Sequence, residues 1–429
     1  MRAVVLLLFA VLLMACAGPQ LDGESATLRA GVASAIVSPP PGSFIAGDAR
    51  NRRFAGEHDP LYAKALVLDD AGQRLALVVI DNIGLTLPDI RAIQQRAAAE
   101  VPGLPPERIL VSSTHTHSGP DVVGLWGEHE LSSGRSADYM TFLIETAAAQ
   151  VAMAAVDLVP VTVRVGSDWV PLDWVRNVTE PRLLDSTLTV VAFEAANGAT
   201  IATLTNYACH PTVQDAVSDL VSADYVSGFY RRMGEALDGE HLFLQGAIGG
   251  WVQPDKRARG FDLADRYGAE LADAALALQA TATPVTEPRL GFARETFAIP
   301  MANPGFLALL EAGVLTRELE AGAVATEVAW FAIGDVQFAT HPGETSPLHS
   351  RQTRAMLGAD HSLILGLTQD ALGYILTPEY FDPDTALPSA AYLTATSVGP
   401  EAAPRMLEAL AHVIARGQSE GRQNMSDTP

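Results

Sequence analysis

Short apolar runs closed by Gly, Pro, Asp or Asn alternate along this chain with stretches of helical period, and that alternation admits few architectures. Ala63 to Leu68, Leu75 to Ile80 and Ile109 to Ser113 read as buried strands, with a helix from about Pro88 to Ala99 between the last two. A long helix is expected over Ala137 to Val156 with Ser136 as its N-cap. Strands follow near Val161 to Val165 and Leu188 to Phe193, and Asn197-Gly198 turns the latter into Ile201 to Asn206. Tyr225 to Leu237 and Leu263 to Leu278 have amphipathic helical spacing, Val328 to Ala339 reads as two strands joined near Gly334-Asp335, and a helix is expected from about Ala402 to Ala415. These elements predict an α/β fold with a mixed sheet core flanked by helices. No internal repeat or long linker divides it, so a single domain is expected.

The core must carry the stability. Only Cys16 and Cys209 are present among 429 residues, so no disulfide framework is available, while 48% hydrophobic content supplies ample apolar surface. The formal charge of −22 repels polyanions, which excludes nucleic acid as a natural partner.

The opening residues have another purpose. An apolar run from Ala3 to Ala15 is too short to span a bilayer as a mature helix but suits a signal sequence. Leu13-Met14-Ala15-Cys16 resembles a bacterial lipobox, the plain alternative being an ordinary signal cleaved near Ala15 or Ala17. The organisation expected is a signal peptide over 1–15, a tether over 16–28, a folded body over 29–418 and a disordered tail over 419–429. The protein is then exported and held to a membrane through a lipid on Cys16, in the periplasm or at the outer membrane. No later segment reads as long and apolar enough to cross a bilayer.

Chemistry concentrates at the ends of predicted strands. Ser113-Thr114-His115-Thr116-His117-Ser118-Gly119-Pro120 puts two imidazoles two residues apart, and on an extended backbone both project to one side, where they can serve a single metal ion. Such a pair alone is weak evidence. Three later segments also offer metal-competent side chains in loops: Asn206-Tyr207-Ala208-Cys209-His210-Pro211-Thr212, His341-Pro342-Gly343-Glu344-Thr345, and Gly373-Tyr374-Ile375-Leu376-Thr377-Pro378-Glu379-Tyr380. Each has a bland alternative: His210 as a satisfied core histidine, Glu344 as a helix N-terminal acid, Tyr374 as a core aromatic.

Taken together and in order, these four motifs, with His58-Asp59-Pro60-Leu61-Tyr62-Ala63 upstream, resemble the neutral ceramidases over about residues 30 to 415. The resemblance implies a single catalytic domain of that type with one Zn²⁺ held by His115, His210, Glu344 and Tyr374. His117 then lies beside the metal and orients substrate or moves protons, and Arg176 sits near the active centre to hold a substrate oxygen. The implied activity is zinc-dependent hydrolysis of the amide bond of an N-acylated, ceramide-like lipid by metal-activated water. A ligand set of this kind requires the imidazoles of His115 and His210 to lie within about 6 Å of the Glu344 carboxylate, since ligand bonds are near 2 Å.

Two departures stand against the resemblance. Gly249-Gly250-Trp251-Val252-Gln253-Pro254 replaces the family's Gly-Asp-Val-Ser-Pro segment, and Gln253 stands where the serine is expected; glutamine is no acyl acceptor. The family's C-terminal immunoglobulin-like domain is also expected to be missing. A zinc esterase acting on another envelope lipid or glycan substituent, and a non-catalytic binding lipoprotein, remain as alternative readings.

Overall fold

The run Leu75-Ala76-Leu77-Val78-Val79-Ile80 is apolar throughout because both of its faces are covered. Leu75, Leu77 and Val79 enter one core, while Ala76, Val78 and Ile80 enter another. The computed structural model that shows this describes residues 28–426, with side chains to residue 420. The expected signal run, Cys16 and the tether up to residue 27 lie outside the described residues.

Eight strands form the main ladder of a mixed sheet: β1 (Arg29–Ile36), β2 (Tyr62–Asp70), β3 (Gln73–Ile80), β4 (Ile109–Ser113), β5 (Val159–Trp169), β6 (Thr187–Ala195), β7 (Thr200–Tyr207) and β8 (Glu240–Gln245). Their order is β8-β7-β6-β5-β1-β2-β3-β4, and the short strand Thr283–Pro284 joins beside β5. The β3–β4 and β7–β8 pairs are parallel and the remaining pairs of the ladder antiparallel. A second sheet has the order β9 (Leu290–Pro300), β10 (Ala323–Ile333), β11 (Val336–Thr340), β12 (Ser362–Leu365), with only β11–β12 parallel.

Four layers result. Helices α1 (Leu87–Glu100), α2 (Ala137–Val156), α3 (Tyr225–Ala236) and α4 (Phe261–Ala280) cover one face of the large sheet through Ile93, Val151, Phe229 and Leu271. The opposite face packs on the second sheet, where Leu66, Leu77, Val163 and Leu204 meet Phe331, Phe338 and Leu363. The outer face of the second sheet is covered by α8 (Ala402–Ser426) and by Leu357 of α6 (Pro347–Leu357). Helix on sheet on sheet on helix is the mixed α/β arrangement expected.

Several local readings are met closely. β4 and α2 have the expected bounds, and the Ser136 hydroxyl accepts the Tyr139 N–H at the start of α2. Others need correction. Helix α2 does meet the length and composition of a membrane-crossing segment, with 44% of its apolar window buried. Leu143, Ala147, Val151 and Ala154 form a helical stripe within the core beneath the large sheet, and that packing accounts for its apolar character. Helix α8 runs on past Ala415 into the stretch expected to be a disordered tail. Leu28, assigned to the tether, is buried.

The large sheet curls until its two edges approach. Gln245 at the end of β8 donates to the carbonyl of Thr114 just after β4, 3.0 Å away. The β4 edge is also stitched to the second sheet: Ser113 N–H donates to Leu367 O and Gln369 N–H to Val111 O. This seam is where the candidate site lies.

Candidate metal centre

His115 leaves the end of β4 with φ +72°, in the left-handed region that costs a non-glycine residue about 1 kcal/mol. The extended backbone expected for the His-Thr-His run is therefore corrected to a kink. Its N–H donates to Asn82 O at 2.9 Å and its Nδ1 to Ile83 O at 2.5 Å, so the bend is held from both backbone and ring. His210 follows β7, and its Nδ1 donates to Val252 O at 2.8 Å.

These two hydrogen bonds decide which nitrogen serves the site. A carbonyl only accepts, so each Nδ1 carries a proton and each ring turns its Nε2 inward. Both Nε2 atoms face Glu344 Oε2, at 3.4 Å from His115 and 3.0 Å from His210. Two imidazole nitrogens and a carboxylate oxygen converging in a buried place are held together by positive charge, supplied by a proton on Nε2 or by a metal cation among them. Donor atoms about 2.0–2.1 Å from a tetrahedral ion stand roughly 3.3 Å apart, which matches these separations. The residues present thus fit a divalent metal.

His117 belongs to the same group. Its Nε2 lies 3.3 Å from that of His115, and one donor nitrogen from each of the three imidazoles falls within 4.8 Å of the others. Its Nδ1 has no hydrogen-bond partner and faces Asp215 Oδ1 at 3.7 Å. Burial pushes this imidazole down to about 4 against the pull of the Asp215 carboxylate, so the ring is neutral at pH 7 and able to take up a proton. Asp215 is fixed in turn by Lys256 Nζ at 2.5 Å and Arg259 at 3.5 Å.

Glu344 and Tyr374 arrive together from the second sheet's loops. Glu344–Thr345 and Tyr374–Ile375 form a two-strand parallel ladder in which Glu344 pairs with Tyr374. Burial raises the Glu344 carboxyl, but the facing histidines outweigh it and hold the group well below the carboxylate range. Burial, then the Glu344 charge, push the Tyr374 phenol well above its ordinary value. A bound cation reverses the sign of that local field.

Five of the six residues expected at the site are therefore brought together. Arg176 is placed elsewhere: its guanidinium pairs with Asp255 in a separate surface hollow. It lies on the short strand Val175–Asn177, directly across from Gln253 on Val252–Pro254. Two residues that shape the centre were not anticipated. Asp215, a carboxylate five positions after His210, left a visible signal; Gln245, which donates to both Thr114 O and Cys209 O, left none.

The centre opens into a cleft of about 1060 Å³, counted out to its mouth in solvent. His115, His117, Glu344 and Tyr374 contribute to its lining, and the rest of the lining is mostly apolar, including Trp126, Met301, Leu367 and Leu372. Helix α5 (Pro304–Glu311), capped by Asn303, adds Phe306 and Leu310 to the cleft although none of its residues is fully buried. Tyr392 on the short helix α7 (Ala390–Ala395) also lines it.

Two packed sheets between helical layers, with donors from both sheets meeting at one seam, define a fold class with solved examples. The chain is similar to the crystal structure of neutral ceramidase from Pseudomonas aeruginosa, with TM-score 0.74 and 17% identity over 91% of this chain and 75% of that one. It is equally similar to a structure described as ceramidase complexed with C2, with TM-score 0.75 and 18% identity over 92% and 76% of the two chains. The shared property is the neutral ceramidase fold. No protein-family model matches the chain, and no curated protein matches it.

Proposed function

We propose that this protein is a zinc-dependent hydrolase that cleaves the amide bond of an N-acylated, ceramide-like lipid. The observation that carries the reading is the meeting of the Nε2 atoms of His115 and His210 on Glu344, beside an apolar cleft suited to an acyl chain. The fold shared with solved ceramidases supports the same reading. His115, His210, Glu344 and Tyr374 would hold the ion. Zinc, when bound, supplies Lewis acidity toward a carbonyl and lowers the pKa of water to about 7.

The chain's own groups supply the rest. Phe306, Leu310, Leu372 and Trp126 hold the acyl chain and keep water from it. His117, neutral at pH 7, accepts a proton at Nε2 and returns it to the leaving nitrogen, while Asp215 steadies the imidazolium at Nδ1. With Gln253 across from Arg176, the chain offers no serine there to form an acyl intermediate, so water is the acyl acceptor. Export and tethering through Cys16 would bring the cleft to its lipid.

Purified protein assayed for zinc and for hydrolysis of paired N-acyl amides and esters tests the proposal. About one zinc per chain and metal-dependent amide cleavage are expected. Turnover that survives removal of metal would reject it, and a clear ester preference would move the activity to the esterase reading.

A further inference from the structure

The hollow that holds Arg176 is basic in an otherwise acidic protein. It is lined by Arg176, Gln253, Asp255, Lys256 and Arg257. Asp255 is shared by Arg176 and Arg257, and Asp215 by Lys256 and Arg259. Four cations on two carboxylates leave two positive charges locally, against a formal −22 for the whole chain. Charges more than about 8 Å away are largely screened at physiological ionic strength, so the local surplus governs what binds here.

The hollow adjoins the metal centre through a single carboxylate. Lys256, in its wall, bonds Asp215 Oδ2, and Asp215 Oδ1 faces His117. The same two-strand antiparallel ladder carries Arg176 and Gln253 and offers the Val252 carbonyl to His210. His117 thus has the apolar cleft at hand and, past Asp215, the basic hollow. From this we infer that the hollow is a head-group subsite for an oxyanion, and that the lipids cleaved carry a carboxylate or phosphate on the amine side of the scissile amide. Guanidinium groups suit both anions through paired, charge-assisted hydrogen bonds. The inference rests on the hydrolase reading for its amide, but the anion site can be measured without turnover.

Three probes with one acyl chain decide it: N-dodecanoylglycine, N-dodecanoyl-phosphoethanolamine and neutral N-dodecanoylethanolamine, each titrated calorimetrically into the full-length protein below micelle formation and then assayed for cleavage. At least one anionic probe is expected to bind about tenfold tighter than the neutral one, and the stronger of the two identifies the carboxylate or the phosphate as the source. Arg257→Glu, at a side chain 85% exposed and so tolerant of change, is expected to bring the anionic-to-neutral ratio to about one or below. Equal affinities in the unaltered protein, or a preference that survives Arg257→Glu, would overturn the subsite. Preferential binding with no cleavage of any probe keeps the subsite and removes the hydrolase reading; equal binding with cleavage of all three does the reverse.

Discussion

The side-chain amide of Gln245 donates to the carbonyl oxygen of Thr114 across 131 residues of chain. The same nitrogen donates to Cys209 O at 2.8 Å, and Oε1 accepts the N–H of Cys209 at 3.2 Å. The residue preceding each of two site histidines, His115 and His210, is thereby tied to one buried group. Gln245→Leu leaves the Cys209 N–H without that acceptor and frees both loops. It should lower stability by about 2 kcal/mol and weaken zinc binding by roughly 10–100-fold. Urea unfolding and competition with a chelator measure the two effects; unchanged metal affinity would show that the loops hold their geometry unaided.

Removing a donor acts more directly. His115→Ala and His210→Ala should each lose bound zinc and at least about 10³-fold in amide hydrolysis, because either change leaves Glu344 facing an incomplete set. Elemental analysis beside the assay checks this. A variant that lost metal but kept its rate would end the metal hydrolase reading.

Gly47 offers a way to disturb His117 without removing any of the expected metal ligands. It sits at φ +108°, and a Cβ there would meet His117 Nδ1 at 2.7 Å. Gly47→Ala should displace the ring and lower kcat by about 10²-fold while zinc content stays near that of the unaltered protein. An unchanged kcat would take His117 out of the proton route.

Asp81 gives a pH signature. Its carboxylate accepts from Tyr62 N–H, the Thr114 hydroxyl and the Tyr230 hydroxyl, yet burial pushes it up to about 6. The folded protein therefore holds this proton more tightly than the unfolded chain does. The stabilisation is fully present below about pH 4 and is lost as pH rises through 6, a change of roughly 3 kcal/mol. The difference in unfolding free energy between Asp81→Asn and the unaltered protein should shift toward the variant by up to that amount from pH 4 to pH 7. A difference flat with pH would mean that the buried carboxyl titrates like an exposed one.

Local signals in the chain were readable where the cause is local. Ser136 caps α2 because a hydroxyl next to a helical run meets the free N–H groups of its first turn, and that needs no knowledge of the fold. Strand β9 was not anticipated: Arg294 and Glu295 interrupt its apolar pattern, as an edge strand with a half-exposed face permits. Helix α5 was missed because its apolar residues serve the cleft rather than a core. The spacing of His115 and His117 was visible, but their kink was not, since it depends on the carbonyls of Asn82 and Ile83. Arg176 was expected at the active centre, and its pairing with Asp255, which follows a partner strand far along the chain, could not be read from a motif.

The stitching of β4 to the loop after β12 reaches beyond geometry. The histidines hang from one sheet, while Glu344 and Tyr374 hang from loops of the other, so an ion gripped by all of them would be a rivet through two plates. Loading the ion would add one more tie between sheets that already share the core of Leu66, Leu77, Phe331 and Phe338, and losing it would loosen the grip without parting the plates. A shortened version carrying either plate alone would own half a grip.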